Sequence, residues 1–423
     1  MPDRPGGQAP DPPPAPAPEP PLAGTVVVSF EQAVAAPYCT RMLADLGAEV
    51  VKVEHPRSGD TTRWFDDAAD GMATYFVWLN RNKRSLALDC KKPEARPVLD
   101  RLLERADVVV QNLAPGSARR LGLDAATLVE RYPSMVAVDI SGYGTGGPLD
   151  HRRAYDLLVQ AESGSCAATG QANAPAKPGI PIADLGTAMQ AAAGIMAALL
   201  GRARTGTGAA LQVSMFDTAA DLLGFALLYA RYTGAERAPI GMSSPIVAPY
   251  NAYPTKDGRT VMLGTTNDAE WQRLARDLIG RPDLADDPSL ATTPQRCDQR
   301  ARLDEVIAAW TAALDLAEIC ARADAAGIGN AEFHRVTEVV DHPQLTARDR
   351  WRQVGSPVGP LASLLPPVIT PAWSTPLEAV PGLGEHTTAI LTDLGFTPEA
   401  QAALRRAGAV RTAVRPTDSQ GET

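Results

Sequence analysis

Five short runs in the first third of the chain, GTVVVSF, AEVVKVEHP, RSLALDC, DVVVQNL and PSMVAVDISGYG, are nearly continuous in apolar residues. Amphipathic stretches separate them. AAPYCTRMLADLG places Met42, Leu43 and Leu46 at helical spacing before Gly47, and KPEARPVLDRLLERA does so with Leu99, Leu102 and Leu103. A strand that is apolar on both faces has to be covered on both faces, which a mostly parallel sheet with crossover helices achieves. The predicted fold class is therefore α/β. Ligands of such sheets gather at the carboxyl ends of the strands. Here those ends are Phe30 to Pro37, Glu54 to Asp60, Gln111 to Gly116 and Ser141 to Pro148.

A chain of 423 residues exceeds one small core, so two domains are expected. Residues 1–22, with ten prolines among the first 21, read as a disordered tail without the apolar centre of a signal peptide. Residues 23–205 form the first part of the large domain and 206–239 a linker helix, where ALQVSMFDTAADLLGFALLYARY reads as a strand and then a long helix. Residues 240–335 form a smaller α+β domain with a turn at Asp257-Gly258 and a helix around Trp271, and 336–423 return to the large domain. A net charge of −9 argues against nucleic acid and anionic membrane as partners. The longest apolar run, Ala191 to Leu200, is about half of a bilayer span. Five scattered cysteines without a C-x-x-C pair suit a reducing cytoplasm and argue against disulfides or structural zinc. The five histidines show no ligand spacing, so no metal is expected.

In KPGIPIAD, followed by LGTAMQAAAGIMAALLGRARTG, one carboxylate stands between an apolar extended run and a helix expected to be nearly buried. Asp184 then sits in the first helical turn, where free N–H groups and the helix dipole favour its ionised form. An ordinary cap and a carboxylate nucleophile both fit that position. Asp156 in RRAYDLLVQA is the rival carboxylate, and no G-x-S-x-G elbow is present. Gly142, Gly144, Gly146 and Gly147 match G-x-G-x-x-G loosely, but Pro148 follows instead of the helix that a dinucleotide pyrophosphate needs. A plain mobile loop and a loop closing over another ligand both remain open. Basic residues follow the strands: His55, Arg57 and Arg63; Arg81, Lys83 and Arg84; Arg119 and Arg120; Arg152 and Arg153. Each cluster reads as solvated surface or as a contact for a phosphorylated small molecule.

VVSFEQAVAAPYCTRMLADLGAEVVKVEHPRSGD, FVWLNRNKRSLALDCKKPEA, ADVVVQNLAPGSARRLGL, ISGYGTGGPLDHRRAYDLLVQAESG, PIADLGTAMQAAAGIMAALLGRARTGTG and PGLGEHTTAILTDLG together resemble the class III coenzyme A transferases of the CaiB/BaiF type. That family also holds formyl-CoA transferase and α-methylacyl-CoA racemase. The likeness runs from about Pro21 to Gly408. It implies a Rossmann-like large domain, a small inserted domain and an interlocked homodimer. Asp184, in ADLG, takes the place of the family's nucleophile, which passes through aspartyl anhydride and aspartyl-CoA thioester states. Coenzyme A and acyl-CoA are implied as substrates, with no permanently bound cofactor.

The resemblance maps the coenzyme groove onto Val34, His55, Asn112, Arg120, Arg153 and Tyr155. Formyl-CoA transferase carries glutamine, arginine and lysine where this chain has Val34, His55 and Arg153, so formyl and oxalyl substrates are not implied. The racemase branch has a histidine where Tyr155 stands, and tyrosine is a poor base near neutral pH. Transfer is therefore favoured over racemisation, and a noncatalytic acyl-CoA binder would not need Asp184. SFEQAVAAP, FVWLNRNKRS and IGNAEFHRV are similar to the branch acting on mesaconyl, succinyl and related dicarboxylic acyl groups. Arg63 or Arg81 is the expected partner of a distal carboxylate.

Overall fold

The structure is a computed structural model and describes residues 18–412. Strands β1 (Val26–Phe30), β2 (Glu49–Glu54), β3 (Lys83–Leu88), β4 (Val108–Gln111) and β5 (Val136–Ser141) form from the five apolar runs. One seven-stranded sheet has the order Val410–Arg411, β3, β2, β1, β4, β5, Ala209–Ser214. All pairs are parallel except Val410–Arg411 against β3.

Alternation along each strand divides the sheet's contacts between two cores. Val28, Val51 and Val109 face Leu99, Leu103, Leu128 and Ile390. Val27, Val50 and Val108 face helix α1 (Ala35–Asp45) and the helix Ile182–Thr205. The Ile182–Thr205 helix contributes Ala188, Ala191, Ala192 and Ile195, an i, i+3, i+4, i+7 stripe whose small residues allow close packing. Its other face is open, with Met189, Met196 and Leu200 exposed, so it is half-buried and not nearly buried as expected. By length and composition alone its 24 residues could cross a bilayer, but the alanine stripe is packed against the sheet.

The described residues fall into two compact units, one of residues up to 153, 184–214 and 351 onward, the other of 154–183 and 215–350. These boundaries differ from those expected. The first nine residues of the expected linker belong to the large unit because Ala209–Ser214 pairs with β5 along its whole length. Residues 154–183 and 336–350 belong to the second unit. The long helix expected after that strand is two helices, Met215–Leu222 and Gly224–Thr233. The second unit has a three-stranded antiparallel sheet, Gly329–Glu332, Thr260–Gly264 and Tyr250–Pro254, packed on helices through Trp271, Leu274, Ile307 and Ile319. Of the tail expected at 1–22, residues 1–17 lie outside the described residues, as do those from 413, but its end is ordered: Leu22 packs against the core and its N–H donates to the Leu46 carbonyl.

Candidate active site

The strand order reverses at β1, which has β2 on one side and β4 on the other. In open α/β sheets this switch point leaves a crevice at the carboxyl ends of the strands. The loops that leave β1 and β4 at this edge are tied together. Asn112, just after β4, donates its side-chain amide to the Gln32 carbonyl at 2.8 Å and accepts from the Gln32 N–H at 2.9 Å. The Asn112 N–H also donates to the Phe30 carbonyl at the end of β1.

The Ile182–Thr205 helix is the crossover between the parallel neighbours β5 and Ala209–Ser214, so it runs against them and starts at their carboxyl edge. Arg202 in its last turn confirms the direction, pairing with Asp107 just before β4 at 3.0 Å. Asp184 therefore stands in the first turn on the side of the switch point. No strand precedes it, because Pro178 and Pro181 remove backbone donors and the helix begins at Ile182. Asp184 is partly exposed, while Leu185 joins Val34 and Leu79 in a buried apolar cluster against which Tyr38 and Tyr75 pack.

Below the Glu31–Val34 loop lies a buried ionic network that was not anticipated. Glu31 accepts from Lys83 Nζ at 2.8 Å, from Lys52 Nζ at 3.0 Å and from the Thr40 hydroxyl. Lys52 also meets Asp60 Oδ2 at 2.7 Å, and all these charged side chains are inaccessible to solvent. Burial opposes ionisation of Glu31, but Lys52 and Lys83 hold its pKa down at about 2. Burial pulls Lys83 down to about 8 against the attraction of Glu31. Lys52 is held above its usual value against the same burial, by Asp60 and Glu31. The available signal was Lys52 itself, a charge inside the apolar run VVKV, which a covered sheet tolerates only if paired.

The other expected site residues are placed as follows. His55 is partly exposed after β2. Its Nδ1 accepts from the N–H groups of Arg57 and Ser58 at 3.3 and 3.4 Å, which puts the proton on Nε2, 4.0 Å from Asp89. Arg120 is exposed, and its guanidinium donates to Ser117 Oγ at 2.8 Å on a short helix that opens with Gly116 in the left-handed region. Arg153 and Tyr155 are exposed. In the glycine loop Gly144 and Gly146 have φ of +77° and +84°, and the Gly144 N–H donates to Ser141 Oγ at 3.1 Å. No helix starts on this loop, since the next one begins only at Asp156, so it lacks the pyrophosphate site of a dinucleotide fold.

Three expectations are corrected. Arg81 is 1% exposed and forks onto Asp45 at 2.9 and 2.7 Å while donating to Ser363 and Leu364. Arg63 forks onto Glu54 at 2.8 Å through both Nε and Nη2, lies 3.6 Å over the Phe76 ring and donates to the Pro381 carbonyl. Both guanidiniums are committed to internal partners and are not presented to a substrate carboxylate. Lys83, expected among phosphate contacts, is buried against Glu31. The rival carboxylate Asp156 serves the architecture, since its Oδ1 accepts the Ala183 N–H at 2.9 Å and Gln160 holds its other oxygen.

A match to CoA-transferase family III covers residues 22–387. The succinyl-CoA–D-citramalate CoA-transferase of Chloroflexus aurantiacus is 32% identical, over 91% of this chain and 97% of that protein. The succinate–glutarate CoA-transferase of Agrobacterium fabrum is 31% identical, over 88% and 96%. A CaiB/BaiF family protein from Brucella suis, solved as a crystal structure, superposes with a TM-score of 0.77 at 30% identity, covering 89% of this chain and all of that one. With this strand order and these relatives along nearly its whole length, the chain belongs to CoA-transferase family III and is an enzyme of that class.

Proposed function

We propose that this transferase moves coenzyme A from an acyl-CoA donor to a small dicarboxylic acid through covalent intermediates on Asp184. The observation that carries the reading is the position of Asp184, in the first turn of a helix at the switch-point edge, followed by Leu185 in the apolar cluster with Val34. The Asp184 carboxylate attacks the donor thioester carbonyl, and CoA thiolate leaves an acyl-aspartyl anhydride. Thiolate then attacks the aspartyl carbonyl, releasing the donor acid and forming an aspartyl-CoA thioester. The acceptor carboxylate displaces thiolate from that carbonyl, giving a second anhydride. Thiolate finally attacks the acceptor's carbonyl, which yields the new thioester and restores Asp184. No step consumes water, so a wall that excludes it conserves the thioester's energy.

Dicarboxylate acceptors are supported by the citramalate and glutarate enzymes among the relatives. Their distal carboxylate needs a donor other than Arg63 or Arg81. His55, Arg120 and Arg153 are our candidates for the coenzyme's phosphates, with Asn112 and Val34 lining the crevice. A homodimer is our reading of its assembly, with interlocking implied only by the resemblance; an interface is supported by the Gly224–Thr233 helix, which buries none of its residues and leaves Phe225 and Tyr232 61% and 83% exposed.

The test is Asp184→Ala, assayed for exchange of CoA between succinyl-CoA and mesaconate, glutarate or citramalate. Exchange should be abolished while CoA still binds, and mass spectrometry of the wild type with acyl-CoA should find an adduct on the Asp184 peptide. Turnover near the wild-type rate in the variant would sink the covalent route.

A further inference from the structure

Ala33 has a φ of +63°, in the left-handed region that a side chain disfavours, and it stands between Gln32, which is tied to Asn112, and Val34, which packs on Leu185. Its N–H donates to Asp60 Oδ1 at 3.2 Å. Asp60 is 1% exposed and is restrained from several sides. Its Oδ2 holds Lys52 at 2.7 Å, its Oδ1 also takes the Thr62 N–H and hydroxyl at 2.9 Å, and its own N–H donates to Glu54 at 3.0 Å. A rigid buried carboxylate thus grips the one residue of the loop whose backbone is unfavourable. Strain of this kind persists only where the surroundings over-determine it, and it collects at functional sites.

We propose that Asp60 is a positioning residue for the transfer reaction, clamping Ala33 in its left-handed conformation so that Val34 forms the dry wall beside Asp184. The inference rests on the transfer reading above. Asp60 touches no reacting atom; it acts through the backbone of Ala33. Without the clamp, Ala33 relaxes to negative φ and the wall moves away from Leu185. Glycine at 33 holds the same conformation without help, so it should replace the clamp.

The experiment measures kcat and KM for CoA exchange in Asp60→Ala, Ala33→Gly, the double variant Asp60→Ala/Ala33→Gly, and Ala33→Val. Asp60→Ala should lose at least about tenfold in kcat, the population cost of a left-handed L-residue, and the double variant should regain about that factor. Ala33→Val leaves the ionic network untouched but makes positive φ costlier still, so it should lose kcat by a similar factor while melting like a folded protein. That variant keeps the inference testable if Asp60→Ala does not fold. Wild-type kcat in Ala33→Val, or no recovery in a folded double variant relative to Asp60→Ala, overturns the clamp. Absence of exchange in the wild type overturns the transfer reading itself and the clamp's role with it.

Discussion

Glu31→Gln is the sharpest probe of the charge network beneath the crevice. The substitution keeps the size of the side chain but removes the charge between Lys52 and Lys83. Lys52 keeps Asp60, whereas Lys83 keeps only the neutral Pro37 carbonyl and Asn80 Oδ1. Holding the Glu31 pKa at about 2 against an ordinary 4.5 corresponds to about 3 kcal/mol of stability at neutral pH. Breaking a buried pair by removing one partner costs about 3–5 kcal/mol, which agrees. At about 2–4 °C per kcal/mol for a unit of this size, Tm should fall by about 6–12 °C at pH 7. The pH dependence has a definite sign. Lys83 is lowered to about 8 in the folded protein against 10.5 unfolded, so the unfolded chain binds more protons between those values and stability rises with pH there. Its uncompensated charge harms the variant at pH 7 and is gone once Lys83 is neutral, so the deficit should narrow by about pH 9.5. Thermal and urea melts at the two pH values measure it. A deficit under about 1 kcal/mol at pH 7, or one that widens with pH, would refute the pairing.

Other perturbations separate architecture from chemistry. In the wild type the contribution of Glu31 is complete above pH 4.5 and is lost as pH falls through about 2, so acid melts of wild type and Glu31→Gln should converge there. Arg81→Lys should lower stability by about 2–4 kcal/mol, because an ammonium cannot keep the fork onto Asp45, while leaving the ranking of acceptor acids unchanged in folded enzyme; an altered ranking would return Arg81 to the substrate. Arg120→Ala and Arg153→Ala should each raise KM for acyl-CoA about tenfold, the loss of one charge-assisted bond, and shift the KM of the free acid little. Unchanged KM in both would move the coenzyme groove elsewhere. Asn112→Ala unties the two crevice loops and should lower kcat about tenfold, as a fall in single-turnover rate will show.

What the sequence determined by itself was whatever is written locally. Val27, Val28, Val50 and Val51 are apolar in succession because both faces of the sheet are covered, so β1 to β5 and the helices between them could be read directly. Asp184 at a helix start was equally legible, and the ordered motifs around it carried the family. Partnership was not legible. Arg81 and Asp45 are 36 residues apart, Lys83 and Glu31 are 52 apart, and the Arg63 fork onto Glu54 follows a turn through Gly59, at φ +61°, that returns Arg63 to the end of β2. Each of these cations looked like a phosphate or carboxylate ligand in the sequence and proved to be structural. The edge strand Ala209–Ser214 was legible as a strand in ALQVS, but its pairing with β5, across about 70 residues of chain, was not. Charge and periodicity are properties of a residue and its near neighbours, whereas the availability of a charge to a substrate depends on which distant groups the fold has already set against it.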